Sequence, residues 1–440
     1  MDIIIAGAGK VGYNLARTLS PVHNVTVIDR NAEALARLQE SLDILPVNGD
    51  IEDPLTYRKL IDKEADLFIA VTDMDEANLI STLIAGDTIA VKRKFIRLRN
   101  EFFAKSSIRE KLGIDEAIFP LQLTSETVEQ LFAYPRANNV KSFAYADFKL
   151  ISIRVTALAE AITLEPGENY AVVGIEREKS FIIPEGGGAE IRPGDLVYLF
   201  GDESRIRALC PKLEAEAPGN IERCVVFGGG DLGIAIARKL LEHGKEVKIV
   251  EENIRQCNIA DEALEGEAMT LSCKYGTAEL FEEEGLGHAD MMIAATGNDE
   301  YNIIKCLEAK EHGIRKVVAV NNEMEYYNLM HSLGLVVVRG PKMSAYHTII
   351  ERIHSSRVVT ERKYCGGRGT IYLRKIFPGS TLIGRRVKPY KHRGESLLYL
   401  VRGGQLLPFI EAIELEEGDL LVAFVHEEDA EVLENWLNGL

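Results

Sequence analysis

Gly7-Ala8-Gly9-Lys10-Val11-Gly12 is a glycine spacing that can cradle a pyrophosphate. Gly7 permits a tight turn, Gly9 lets backbone N–H groups approach a phosphate, and Gly12 allows close packing of a helix on a strand. Taken alone the pattern is weak, because glycine-rich turns also serve structure only. Asp29 lies 17 residues past Gly12, at the end of the next strand-like run. A carboxylate there can accept hydrogen bonds from adenosine ribose hydroxyls and would repel a 2′-phosphate. The expected ligand is therefore a dinucleotide or adenine nucleotide, with NAD(H) preferred over NADP(H). Arg30 is the one feature arguing the other way. Asp50 would sit near the adenine or be a solvated turn residue, and Thr72 and Asp73 could face the phosphates. Arg97 lies within a strand-like run, where a phosphate would be a suitable partner. Lys92, Arg93 and Lys94 are expected in a solvated loop.

A second set of the same chemistry follows. Gly228-Gly229-Gly230-Asp231-Leu232-Gly233 repeats the glycine spacing, Glu251 lies 18 residues past Gly233, and Thr296 recurs in the position of Thr72. Two polar candidates are lost in this reading: Thr277 follows Gly276 as Asp50 follows Gly49, and Ala319 stands where Arg97 stood. A different nucleotide, weaker binding and a purely structural copy are all open for this half.

The elements that must position these groups come from a duplication. ADLFIAVTDMDEAN at 65–78 returns as ADMMIAATGNDEYN at 289–302, with Ala65, Asp66, Ile69, Ala70, Thr72, Asp75, Glu76 and Asn78 all recurring. RPGDLVYLFG at 192–201 and EEGDLLVAFV at 416–425 form a further matched pair. In the first half Asp2–Ala6 and Asn24–Asp29 read as strands, and Lys10–Leu19 as a helix. Ala32, Leu35, Leu38 and Leu42 mark a second helix, and Leu67–Val71 and Phe95–Leu98 are further buried strands. Continuous apolar runs alternating with amphipathic ones predict a parallel sheet covered on both faces. Beyond about residue 140 short strands with Pro/Gly turns take over, and the acidic stretch Glu214–Asn220 reads as a linker. The second half repeats this order, its β-rich tail starting near Thr360.

Composition narrows the function classes. The 440 residues carry 51 Lys+Arg against 68 Asp+Glu, a net charge of −17, so a nucleic-acid partner is not expected. No apolar stretch approaches the roughly 18–20 residues of a membrane span, and nothing at Met1-Asp2-Ile3 resembles a signal peptide, so a soluble cytoplasmic chain is expected. The six Cys lack any C-x-x-C, and the nine His lack metal spacing, so no metal site is expected.

The glycine-rich start, the A-x-T-x-x-D-E-x-N motif at Ala70–Asn78 and the Arg97-Leu98-Arg99 run resemble RCK/KTN domains. Two in tandem, each followed by a small module with a P-G-D-x-[LV] type of signature, resemble the regulatory proteins of bacterial Trk-type potassium uptake. The resemblance implies an α/β chain with two Rossmann-like parallel-sheet RCK_N domains, each followed by a β-rich α+β RCK_C module. The implied limits are 1–139, 140–218, 219–356 and 357–440. It implies a non-enzymatic nucleotide-binding subunit, peripheral on the inner face of the plasma membrane, that gates a TrkH-like potassium-translocating partner. A homo-oligomer, a dimer or tetrameric ring, is implied as well. The family's first-site positions fall on Gly7–Val11, Asp29, Thr72–Asp73 and Arg97, with NAD(H) expected there. NAD(H), ATP or ADP are possible in the second half.

The rival readings are an NAD-dependent oxidoreductase and a nucleotide sensor acting on another target. An oxidoreductase needs an acid–base group at the substrate. His23, His243, His347 and His354 are scattered, and none is matched in the other repeat.

Overall fold

The computed structural model describes residues 1–58, 60, 64–143, 146–178, 180–273, 277–354, 359–390 and 396–440. Its first sheet consists of β1 (Asp2–Ala6), β2 (Asn24–Asp29), β3 (Ile44–Asn48), β4 (Glu64–Ala70), β5 (Ala90–Arg97) and β6 (Glu116–Ile118) in the order 3-2-1-4-5-6. Every pairing in it is parallel. This is the doubly wound order, in which the strand sequence reverses beside β1 and opens a crevice at the carboxyl ends. Ile3, Ile4, Ile5 and Ala6 are all buried, as a strand covered on both faces requires.

The first β-rich module contains β7 (Asn139–Phe143), β8 (Ala146–Arg154), β9 (Ile162–Leu164), β10 (Tyr170–Arg177), β11 (Ser180–Ile182), β12 (Ala189–Ile191) and β13 (Leu196–Asp202). Five of them form an antiparallel sheet ordered β11-β10-β13-β8-β7, and β12 pairs with β9. The second doubly wound sheet comprises β14 (Arg223–Phe227), β15 (Glu246–Glu251), β16 (Met269–Ser272), β17 (Met291–Ala294), β18 (Lys316–Asn321) and β19 (Val336–Arg339), ordered β16-β15-β14-β17-β18-β19. In the last module β20 (Val359–Tyr364), β21 (Gly369–Lys375), β22 (Arg386–Val387), β23 (Ser396–Arg402), β24 (Gln405–Pro408), β25 (Ile413–Glu414) and β26 (Leu420–His426) repeat the five-plus-two arrangement. The two five-stranded sheets share one core, in which Phe148, Val173, Tyr198 and Phe200 pack with Tyr364, Ile371, Tyr399 and Phe424.

The repeated Gly-Asp motif has a structural role in both modules. Asp195 is buried and takes a two-pronged bond from Arg177, at 2.9 and 2.8 Å. Asp419 takes the same fork from Arg402, at 2.8 and 2.7 Å. Bidentate pairing satisfies both buried carboxylate oxygens, which a lysine could not do as well.

The chain forms two compact units that do not follow the sequence halves. One comprises Met1–Ser125 and Arg339–Ile350, the other Glu126–Val338 and Glu351–Leu440. In the first unit the start of the helix Pro341–His354 is held by Tyr346 on Thr18 (2.8 Å) and Ser344 on Thr124 (3.1 Å). In the second, the end of the helix Pro120–Ala133 places Glu129 against His243 (3.2 Å) and Phe132 edge-on to the same ring.

Two local expectations change. Lys92, Arg93 and Lys94 lie in β5, not in a loop. Lys92 pairs with Asp66 at 2.7 Å, Arg93 lies over the Phe95 ring, and Lys94 donates to the Leu112 carbonyl at 3.0 Å. Each cation has a way to leave its charge satisfied while the backbone stays in the ladder. The acidic linker also begins on a buried anchor: Glu214 accepts from the Thr156 hydroxyl (2.8 Å) and from the N–H groups of Glu216 and Ala217 (2.7 and 3.0 Å).

Candidate functional site

The glycine-rich turn joins β1 to the helix Lys10–Leu19 at the crevice. Gly7 sits at φ +114°, where a side chain would be strained, and its N–H donates to the Ile28 carbonyl (2.9 Å). A Cβ on Gly12 would stand 1.8 Å from the Gly7 carbonyl oxygen, so the helix can approach the turn only without one. No side chain caps the helix at Gly9, leaving its first N–H groups available to an anion. Asp29 closes the turn: one oxygen accepts from the Ala8 N–H (2.6 Å), the other from the Asn31 N–H (2.7 Å).

Across the crevice, Thr72 follows β4. Asn78, fully buried, accepts from the Thr72 N–H (2.9 Å) and hydroxyl (2.7 Å) and donates to the Thr72 and Arg97 carbonyls (3.0 and 2.9 Å). Asp75 likewise takes the N–H groups of Arg99 and Asn100, each at 2.8 Å. The repeated Asp and Asn of the motif are thus stitches that hold the β4 and β5 loops. Sequence reasoning saw the repetition but not this role.

Arg97 finds its partner inside the protein. Its Nη1 donates to Asp73 (2.6 Å) and to the Thr72 carbonyl (3.1 Å), while its buried Nε has none. Partial burial opposes the Asp73 carboxylate, but the Arg97 hydrogen bond and charge outweigh it and hold the carboxyl below its ordinary range. Arg30 is exposed beside Asp29. Asp50 is exposed beyond β3 and accepts from the Glu52 N–H of its own turn (3.0 Å).

The second crevice repeats the frame almost atom for atom. Gly228 has φ +106°, and a Cβ on Gly233 would again stand 1.8 Å from a carbonyl oxygen, that of Gly228. Glu251 accepts from the N–H groups of Gly229 (2.7 Å) and Asn253 (2.9 Å), and Asn302 holds Thr296 as Asn78 holds Thr72. Leu232 is buried in the first turn of the helix Asp231–Glu242. The cleft has a volume of about 520 Å³, lined by Gly228, Gly230, Glu251, Cys273, Thr296 and Tyr301 among others.

Register corrects both proposed losses. Asn302 donates to the Val320 carbonyl where Asn78 donates to that of Arg97, so Val320, not Ala319, is the counterpart of Arg97. Ala319 pairs with Ala294 as Ile96 pairs with Ala70. Ser272 pairs with Glu251 as Asn48 pairs with Asp29, which sets Cys273 against Gly49 and position 274 against Asp50. Gly276 and position 274 lie outside the described residues, as does the side chain of Thr277, whose backbone instead opens the helix Thr277–Glu283.

The second cleft has features that sequence reasoning missed. Gln256 Nε2 donates to the Gly229 carbonyl (2.8 Å), and the Tyr301 hydroxyl donates to Glu252. Lys305 lies over the Tyr301 ring at 4.9 Å. Burial, then the Glu252 contact, push the Tyr301 hydroxyl well above its usual pKa. The described lining carries the carboxylates of Glu251 and Glu252 and no cation. Asp231 opens its helix where Lys10 opens the first.

Among the described residues, no helix is long and apolar enough to cross a membrane. A family model, the TrkA-N domain, matches residues 3–120 and again 224–341, and a TrkA-C domain model matches 156–214. The chain is similar to the "Trk system potassium uptake protein TrkA homolog" of Archaeoglobus fulgidus, at 28% identity over 99% of each chain. It is also 28% identical to the "Trk system potassium uptake protein TrkA" of Halomonas elongata, over 97% of this chain and 96% of that one. A crystal structure of the GsuK RCK domain shares its fold, with TM-score 0.60, 17% identity, and coverage of 100% of this chain and 95% of that one. The GsuK channel bound to NAD matches at TM-score 0.61 and 17% identity, covering 100% of this chain and 79% of that one. With two matched domains that together span more than half its length, the chain belongs to the TrkA-N domain family.

Proposed function

We propose that the chain is a cytoplasmic, non-enzymatic regulatory subunit that binds nucleotides and gates a potassium-translocating membrane partner of the TrkH type. The observation that carries this reading is the duplicated crevice on a chain similar over nearly its full length to Trk potassium uptake proteins. NAD(H) is assigned to the first crevice, through Gly7–Gly12, Asp29, Thr72, Asp73 and Arg97, with Arg30 and Asp50 at its mouth. NAD(H), ATP or ADP is assigned to the second, through Gly228–Gly233, Glu251 and Thr296. The domain limits 1–139, 140–218, 219–356 and 357–440, and assembly as a dimer or tetrameric ring on the inner face of the membrane, belong to the same proposal.

A ligand shifts a gate only through unequal affinity for the gate's two states. In the first crevice the Arg97–Asp73 pair is suited to that role, because a phosphate competing for Arg97 would release the loop after β4. The reading is tested by potassium flux in proteoliposomes holding the membrane partner and the full chain. Addition of NADH, NAD+, ATP or ADP is expected to change the flux. Flux unaltered by all four, with binding verified, would remove the gating function.

A further inference from the structure

His354, Glu361 and Glu434 are far apart in sequence and come together in the last module. His354 is the final residue of the helix Pro341–His354, Glu361 lies in β20, and Glu434 lies in the helix Ala430–Gly439. One donor atom from each side chain lies within 4.8 Å of the others. Nothing in the sequence spacing suggested this, because metal motifs are read along one element and these donors come from three.

We propose that His354, Glu361 and Glu434 form a binding site for one first-row transition-metal cation of the zinc class. An imidazole with two carboxylates is the donor set such an ion takes, whereas calcium and magnesium favour oxygen donors alone. Three protein donors leave a fourth position to water. Tetrahedral ligands at about 2.0–2.1 Å from zinc stand about 3.3 Å from one another. The present spacing closes to that value by side-chain rotation, since Glu434 is only partly buried.

The elements that carry Glu361 and Glu434 pack into one core. Val359 two residues before Glu361, Leu433 beside Glu434 and Leu437 one turn later share a core with Tyr372, Ala423 and Val425. Arg362 fixes the last turns of the His354 helix through Glu351 at 3.1 Å. Donors on elements held this way need little reordering to bind.

The local charge also favours a cation. Glu361 is only 4% exposed, and Lys363 pairs with its Oε1 at 2.8 Å. Lys363 also contacts Glu427, so this single cation is divided between two carboxylates. A bound ion would fasten the end of the Pro341–His354 helix to the module.

The test is calorimetric titration of the chelator-washed full-length protein with zinc chloride, with calcium and magnesium chloride in parallel. One zinc ion per chain is expected, with calcium and magnesium at least tenfold weaker. His354→Ala and Glu434→Gln should each weaken zinc binding at least tenfold while the circular dichroism spectrum stays unchanged. His354 and Glu434 lie on different helices, so loss of fold in one variant leaves the other to decide. No zinc binding, preference for calcium or magnesium, or full affinity retained in a folded variant would overturn the assignment.

Discussion

The two crevices share their backbone and differ in their charge. Both have a glycine turn at positive φ, an acid that accepts two turn N–H groups, and an Asn that stitches the opposite loop. The first adds Lys10, Arg97 and Asp73. The second has Asp231, Val320 and Gly297 in those places and adds Glu252, Gln256 and Tyr301. Geometry that serves the fold has been kept, while the charges a phosphate would feel have diverged. A doubled scaffold can therefore carry two sites of unequal ligand preference without a change of architecture.

The largest expected effect should be equal on the two sides. Gly12→Ala and Gly233→Ala each drive a methyl group into a carbonyl oxygen at 1.8 Å, a contact that backbone cannot easily relieve. Each should destabilise its own unit by about 3 kcal/mol, the upper end of overpacking costs. Denaturant unfolding of the two variants measures this, and a marked difference between them would break the equivalence of the frames.

Arg97→Met should be unequal in its consequence. A hydrogen bond to a charged group is worth about 1.5–3 kcal/mol, so NAD(H) affinity should fall tenfold or more. Val320→Met, at the matching position, should leave nucleotide binding as it was. Asp29→Ala should cost about 1–3 kcal/mol of NAD(H) affinity by removing the ribose acceptor. The ligand is expected to take over the Asp29 oxygens from the turn N–H groups, so unchanged affinity in a folded variant would remove Asp29 from the site.

A cation in the fifth strand sharpens the contrast further. Register sets Lys316 against Arg93, yet Arg93 reaches the surface while Lys316 is buried and donates to the Ala137 carbonyl. Burial pulls the Lys316 amine down to about 7. Above that pH the folded amine is neutral while the unfolded one keeps its proton to about 10.4, so the unfolded state binds more protons. Stability should then rise with pH from 7 upward, by at most about 1.4 kcal/mol per unit. Lys316→Met should flatten that part of the profile in denaturation at pH 7, 8 and 9, and a parallel profile would contradict the assignment.

The smallest effect belongs to the helix starts. Asp231→Lys makes the second turn resemble the first and should strengthen binding of phosphate-bearing ligands there by about 0.3–1 kcal/mol. Unchanged ADP binding would show that Asp231 does not face the phosphates.

What the sequence made legible was local. Asp2–Ala6, Lys10–Leu19 and Asn24–Asp29 were bounded correctly because glycine, the apolar run and the terminal acid all act within a few residues. The duplication and the tandem arrangement were also readable, since repeated letters need no three-dimensional knowledge. Register was not. Val320, not Ala319, is the second-repeat counterpart of Arg97, and the match of Thr277 with Asp50 failed, because strand pairing is decided across the sheet. Gln256 at Gly229 and Tyr301 at Glu252 join different elements, so no linear motif announces them. The same holds for the sharing of helix ends between the two compact units.

The central claim is that one frame carries two unequal nucleotide sites, and titration calorimetry of the intact chain with NADH and then ADP tests it most directly. Two classes of binding are expected. The tighter NADH site should be weakened in Asp29→Ala and unchanged in Glu251→Ala, and the weaker site should show the reverse. Equal affinities at both sites, or equal losses in both variants, would contradict the account.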